Sequence, residues 1–174
     1  MRRIVSYFFF SLLLIGQAAM ANSEKIVYGY IEKATLVEKN LTLPAKLDTG
    51  AKSASLNAVN IKEIEIDGKP YLNFIVPSKE GDIAFTAEYI GDVNIKVRAG
   101  EKLVYPVYRK AIKRPVVLMR LRLADKERAI QVNLTNRKRF IYPLLLGRDA
   151  IIAFNGIVDP SLKYTLNPKE SSKP

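Results

Sequence analysis

The chain has 174 residues, 48% hydrophobic and 26% charged, with a formal net charge of +11 and neither Cys nor His. That length holds one domain with a real core, and the composition is ordinary for a globular protein. The missing residue types exclude disulfides and both Ser-His-Asp and Cys-His catalysis, and they leave zinc only carboxylates and water, a ligand set it rarely accepts. Asp, Glu, Lys, Ser, Thr and Tyr remain for catalysis. The positive charge favours an acidic partner, or serves solubility alone. It is spread along the chain with no single basic run.

Arg2 and Arg3 precede an apolar run, Ile4 to Ile15, broken only by Ser6 and Ser11; Ala19-Met20-Ala21 follows. This reads as a secretory signal peptide cut after Ala21. The run is shorter than the roughly 20 residues of a spanning helix. The expectation is a periplasmic or secreted protein with no stable membrane insertion after cleavage. Without Cys there is no site for lipid attachment. The expected organisation is a signal peptide over 1–21, a flexible stretch over 22–25, one domain over 26–166 and a loose polar tail over 167–174.

In chain order the domain reads as short strands. Ile26 to Ile31 carries Val and Tyr, and Leu41, Leu43, Ala45 and Leu47 alternate with polar residues. Ile61 to Ile66 and Tyr71 to Val76 flank Asp67-Gly68, a strong two-residue hairpin signal. Ile83 to Tyr89 and Val93 to Val97 are expected as separate strands, with Asp92 in a plain turn after Gly91. Val116 to Leu123 and Ala129 to Leu134 read as a hairpin joined by the polar stretch 124–128. The one helical signal is Asp149 to Phe154. Many short strands with frequent turns predict an all-β fold, closed or sandwiched.

Two segments could carry chemistry. In Leu47-Asp48-Thr49-Gly50-Ala51 a carboxylate at a strand end is followed by a hydroxyl that can bond backbone and by a Gly that permits a tight turn. About a hundred residues on, Tyr142-Pro143-Leu144-Leu145-Leu146-Gly147-Arg148-Asp149 reads as a strand too apolar to face water. It ends in a Gly that lets another backbone pass close and an Arg suited to clamping a carboxylate or carbonyls. Taken singly, each has a plain structural reading: a turn, and a core strand ending in a helix capped by Asp149.

Together, in this order, the two segments resemble the retropepsin family of aspartic peptidases. One bacterial branch, long labelled ATP-dependent zinc proteases and now described as retropepsin-like, is similar over most of residues 26–160. The similarity lies in Leu47 to Ala58, in Arg114-Pro115-Val116-Val117, in Val132 to Arg137 and in Tyr142 to Arg148. The sequence itself speaks against the older label, because it has no Walker-type phosphate loop and neither His nor Cys. No metal and no cofactor are expected.

The resemblance implies a small closed β-barrel of the retropepsin type with one short C-terminal helix, and Asp48 as the catalytic group. Thr49, Gly50, Ala51, Gly147, Arg148 and Asp149 would support it. Lys52, Ser53 and Ser55, which follow the turn, and Arg137 are candidates for substrate contact, with structural roles equally open to them. Peptide hydrolysis by this chemistry needs two close carboxylates sharing a proton. The chain offers one such turn, so a second copy would supply the other Asp48 and each Thr49 would brace the opposite loop. A covering hairpin is expected at the Pro77–Asp82 turn, with Asp67-Gly68 as its rival. The stretch 100–114 has no assigned role.

The branch has relatives linked to enzymes that ligate glutamate, which fits a peptide or protein substrate of acidic character. The alternative is a non-catalytic envelope protein on the same fold, holding an anionic ligand. A nucleic-acid partner is not expected, since no cluster of stacking aromatics accompanies the cations.

Overall fold

A computed structural model of the protein describes residues 24–95 and 112–166. The expected signal peptide, the tail 167–174 and most of the stretch 100–114 lie outside the described residues.

The chain begins with β1 (Ile26–Gly29) and β2 (Ile31–Leu36), followed by a 3₁₀ turn over Val37–Lys39. The segment read as one strand, Ile26 to Ile31, is therefore divided at Tyr30. β1 leaves to pair in parallel with β11 (Gly156–Asp159), and β2 enters the main sheet. A backbone crossing forces the break: a Cβ on Gly29 would lie 2.6 Å from the carbonyl oxygen of Leu162.

β3 (Leu41–Asp48) pairs with β2, and its Leu41, Leu43, Ala45 and Leu47 all face the core, as the period of two requires. After the turn that carries Thr49 and Gly50 comes β4 (Ala54–Asn57). The outer meander is β5 (Val59–Ile66), β6 (Lys69–Ser78) and β7 (Gly81–Ile95). Asp67 and Gly68 both have positive φ, 52° and 73°, the geometry of the expected two-residue hairpin. Phe74 and Phe85 face each other across β6 and β7 with stacked rings 5.8 Å apart.

β7 corrects two expectations. Gly81–Ile95 is one strand, and Asp92 lies in it, paired with Pro115, not in a turn. Gly91, at φ 118°, forms a bulge between Tyr89 and Gly91, so the chain kinks without leaving the ladder. β8 (Ile112–Leu123) and β9 (Lys126–Thr135) form the expected hairpin with a tighter connection, since only Ala124 and Asp125 lie between them. Then come β10 (Leu144–Gly147) and α1 (Arg148–Ala153), the one helix among the described residues.

The strand order β2-β3-β10-β4-β9-β8 closes on itself through Ala34↔Leu123 and Leu36↔Leu121. The result is an all-β fold around a closed six-stranded barrel with one short helix. β8 joins the barrel to the outer meander within one sheet: its first half pairs with β7 and its last residues with β2. Leu36, Leu56, Met119, Leu121, Leu134, Leu144 and Leu146 fill the barrel, all essentially inaccessible to solvent. Glu32 is buried among them and accepts hydrogen bonds from the amides of Gly29 (2.7 Å) and Thr165 (3.0 Å) and the Thr165 hydroxyl (2.5 Å). It ties the end of the domain to β2.

Candidate active site

Asp48 is the last residue of β3. The turn after it would be a loose connection if β3 and β4 simply paired. Instead β10 is inserted between them, parallel to β3 (Leu146↔Leu47, Gly147↔Asp48) and antiparallel to β4 (Leu144↔Leu56, Leu145↔Ser55). The apolar strand Leu144–Leu146 thus backs the turn from inside the barrel, and Gly147 arrives opposite Asp48.

Gly147 is needed for closeness. A Cβ there would meet the carbonyl oxygens of Lys52 and Ser53, each at 2.6 Å. With that contact made, the next residues clamp the turn. The Arg148 amide donates to Ala51 O (2.9 Å), the Asp149 amide to Lys52 O (3.1 Å), and Arg148 Nη1 to Thr49 O (3.2 Å). Arg148 therefore holds carbonyls, one of the two uses its geometry allowed. Asp149 is not the helix cap, a position held by the backbone of Gly147. Its carboxylate sits in the first turn, where the helix dipole favours it.

Within the turn, the Gly50 amide donates to Asp48 Oδ1 at 3.0 Å and the Ala51 amide to Asp48 O at 3.2 Å. One carboxylate oxygen is thereby fixed. The other, Oδ2, lies 3.8 Å from Lys46 Nζ, and the Asp48 side chain remains 31% exposed. The carboxylate is held from below and open from above. Thr49 is exposed beside it.

Beside the turn lies a cleft of about 730 Å³. Lys52, Ser53, Ser55, Asn133, Arg114 and Arg137 lie on its polar wall, where Asp149 is the one acid, and Val93 and Leu145 form part of its apolar one. The four residues expected to contact substrate thus line one cleft together with Ala51 of the turn, while Asp48 itself is not in its lining. Arg137 is only 5% exposed. Its Nε donates to Tyr142 O at 3.2 Å, its amide to Asn57 Oδ1 at 2.7 Å, and its guanidinium lies 4.3 Å from the centre of the Phe140 ring. Burial lowers its pKa from the ordinary value, the Arg114 charge adds to this, and the Asp48 carboxylate opposes it. The Ser55 hydroxyl, on a residue 4% exposed, has no hydrogen-bond partner among the described residues.

Two further residues belong to the site although the sequence did not single them out for a role. Asn133, buried in β9, donates to Ala54 O and Ser53 Oγ and accepts from Arg114 Nη1 at 3.3 Å, joining β8, β9 and the turn. Gln131 and Asn133 alternate with Ile130, Val132 and Leu134, so in sequence Asn133 reads as an outward-facing strand residue and gives no signal of its burial. Lys46 faces outward two residues before Asp48, and strand alternation places it on the same side as the carboxylate.

The hairpins expected to cover the site lie elsewhere. The Pro77–Glu80 end of the β6–β7 hairpin borders a separate groove with Leu41–Pro44, at the opposite end of β3. Leu41 to Pro44 precede Asp48 by four to seven positions, roughly 13 to 23 Å along the strand. Asp67-Gly68 caps the outermost strand pair. The pair that borders the cleft is β7–β8, through Val93, Asn94, Ile95 and Arg114. Its connection lies outside the described residues. No group of three or more Asp or Glu side chains that could hold a metal occurs among the described residues.

Comparison with known proteins agrees with this geometry. A crystal structure of a Legionella pneumophila protein of unknown function is 60% identical, with a TM-score of 0.71, and covers 83% of this chain and all of its own. Curated relatives described as probable alpha-L-glutamate ligases include one from Shewanella pealeana, 30% identical over 73% of this chain, and one from Desulfotalea psychrophila, 29% identical over 71%. The chain spans only about a quarter of the length of these relatives, 26% and 25%. A family model described as retropepsin-like aspartic endopeptidase RimB matches residues 27–169, a span that contains the Asp48 turn and the segment clamping it, and the chain belongs to this RimB-like, retropepsin-like family.

Proposed function

We propose that the protein is an exported aspartic endopeptidase in which Asp48 of each of two identical chains forms the catalytic pair. The observation that carries this reading is the Asp48 turn, with one carboxylate oxygen fixed by the Gly50 amide and the other open. A lone carboxylate so displayed does nothing for amide hydrolysis. Two of them across a twofold axis share one proton. The ionised one takes a proton from water as the water oxygen bonds to the scissile carbonyl carbon. The protonated one hydrogen-bonds the carbonyl oxygen. The C–N bond then breaks as the leaving nitrogen takes the proton that the first carboxylate removed from water, which restores the shared-proton pair.

The cleft beside the turn supports an acidic substrate. Lys52 and the buried Arg137 both border it. Desolvated guanidinium is a strong, directional partner for a carboxylate. The relatives' description points the same way, since a glutamate ligase makes an amide to glutamate and a peptidase of the same lineage would break one.

Replacement of Asp48 with Asn tests the reading. Turnover of a glutamate-containing peptide falls by at least about a thousandfold, with the fold intact by circular dichroism. Mixing wild type with a tenfold excess of the inactive chain leaves about a tenth of the activity if active pairs assemble at random. Retained turnover in the variant, or activity indifferent to the inactive chain, would defeat the proposal and favour a ligand-holding protein on the same fold.

A further inference from the structure

One surface that the proposed chemistry does not use remains unexplained. Phe140 and Ile141 stand 53% and 89% exposed, Ile141 being the most exposed large hydrophobic residue among those described. They occupy an ordered turn: the Phe140 amide donates to Arg137 O at 2.7 Å, the Lys138 amide to Asn136 Oδ1 at 2.9 Å, and Arg137 is packed against the Phe140 ring. A turn held this way displays its apolar tip persistently and leaves its apolar area in water. Lys138 and Arg139 immediately precede the tip and are exposed. Ile141 and Tyr142 also border the groove of about 870 Å³ that contains Lys79, Lys163 and Tyr164, with Glu80 as its one acid. Among the described residues no salt bridge engages Lys79, Lys138, Arg139 or Lys163.

The geometry points to this face as a docking surface for an anionic lipid bilayer. Cations ringing an apolar tip match negative headgroups above hydrocarbon: the charges attract within a Debye length, and Phe140 and Ile141 enter the headgroup–acyl boundary. Tyr142 and Tyr164, apolar rings with polar ends, suit the same depth. A nucleic acid would use the cations, but one face of the Phe140 ring is already taken by the Arg137 guanidinium, and Ile141, the most exposed part of the tip, has no ring to stack. No helix among the described residues is long and apolar enough to cross a membrane. This inference stands apart from the peptidase reading.

The test uses the chain from Asn22 onward, which keeps every described residue, and flotation with phosphatidylcholine vesicles, alone or containing about a third phosphatidylglycerol. The chain binds the anionic vesicles, more weakly as salt rises. Ile141→Ser, and separately Lys138→Ser with Arg139→Ser, each weaken binding by about tenfold with unchanged thermal unfolding. Absence of binding, or equal binding to neutral vesicles, overturns the inference. So does Ile141→Ser binding like wild type while the double charge variant fails, because that pattern marks adhesion to any polyanion, nucleic acid included.

Discussion

Gly147 and Lys52 approach so closely that a β-carbon on the glycine would lie 2.6 Å from the lysine carbonyl oxygen. They belong to strands and turns about a hundred positions apart in sequence, and their contact seats β10 behind the Asp48 turn. The consequences of disturbing that seat differ from those of disturbing the chemistry.

Gly147→Ala is expected to lose about 3 kcal/mol of stability or more, because the obstructing atoms are backbone on both sides and cannot rotate away. Thermal unfolding of the variant, with or without the Asp48→Asn change, measures it. A variant within about 0.5 kcal/mol of wild type would show that the turn yields easily.

Arg148 holds the turn from outside. Its side chain is exposed, so Arg148→Ala costs about 1 kcal/mol of stability at most. On the peptidase proposal the larger effect falls on turnover, about tenfold or more, since the Thr49 carbonyl is released beside Asp48. Arg148→Lys restores little, because an ammonium on a flexible stem does not reproduce the planar donor. Rates and unfolding midpoints measured on the same preparations separate the two effects. A variant whose turnover falls only as far as its stability does would reduce Arg148 to a structural residue.

Arg137 is predicted to discriminate substrates. Arg137→Met keeps the stem that packs under Phe140 and removes the charge. The ratio of kcat/KM for a glutamate-bearing peptide over its glutamine analogue falls by about tenfold. A ratio left at its wild-type value would place the guanidinium in a purely structural role, tied to Tyr142 O.

Asp92 gives a pH-dependent signature on β7. The hydrogen bond from Lys113, then that from the Tyr89 hydroxyl, holds its carboxyl below the usual carboxylate value. A group depressed in the folded state stabilises above its unfolded pKa, and that contribution is lost as pH falls through the folded value. The Lys113 ammonium is raised by the same bond, so its share is present below the unfolded lysine pKa and is lost as alkaline pH passes the folded value. An NMR titration of the Asp92 carboxyl carbon should show a midpoint below 3.8. A midpoint at or above it means that the bond does not persist in solution.

Local chemistry made part of this protein readable in one dimension. Alternation in Leu41 to Leu47 marks a half-buried strand because successive side chains point to opposite faces, and Asp67-Gly68 marks a hairpin because both residues tolerate positive φ. The turn residues Asp48, Thr49 and Gly50, the apolar strand ending at Gly147, and the Arg after it could be picked out for the same reason. Each reading needs only a residue and its neighbours.

Long-range pairing decided what local patterns leave open. Tyr30 divides the first strand because β1 finds its partner in β11, far along the chain. Asp92 stays in a strand because β8 pairs across the Gly91 bulge. Glu32, which reads as a solvent-facing charge, is buried because the backbone and hydroxyl donors around Thr165 close over it. The strand pair that borders the cleft, and the gathering of Ser55, Asn133 and Arg137 against one wall, follow from β10 slipping between β3 and β4. A period of two tells which face a residue presents, and only the folded sheet tells what stands opposite that face.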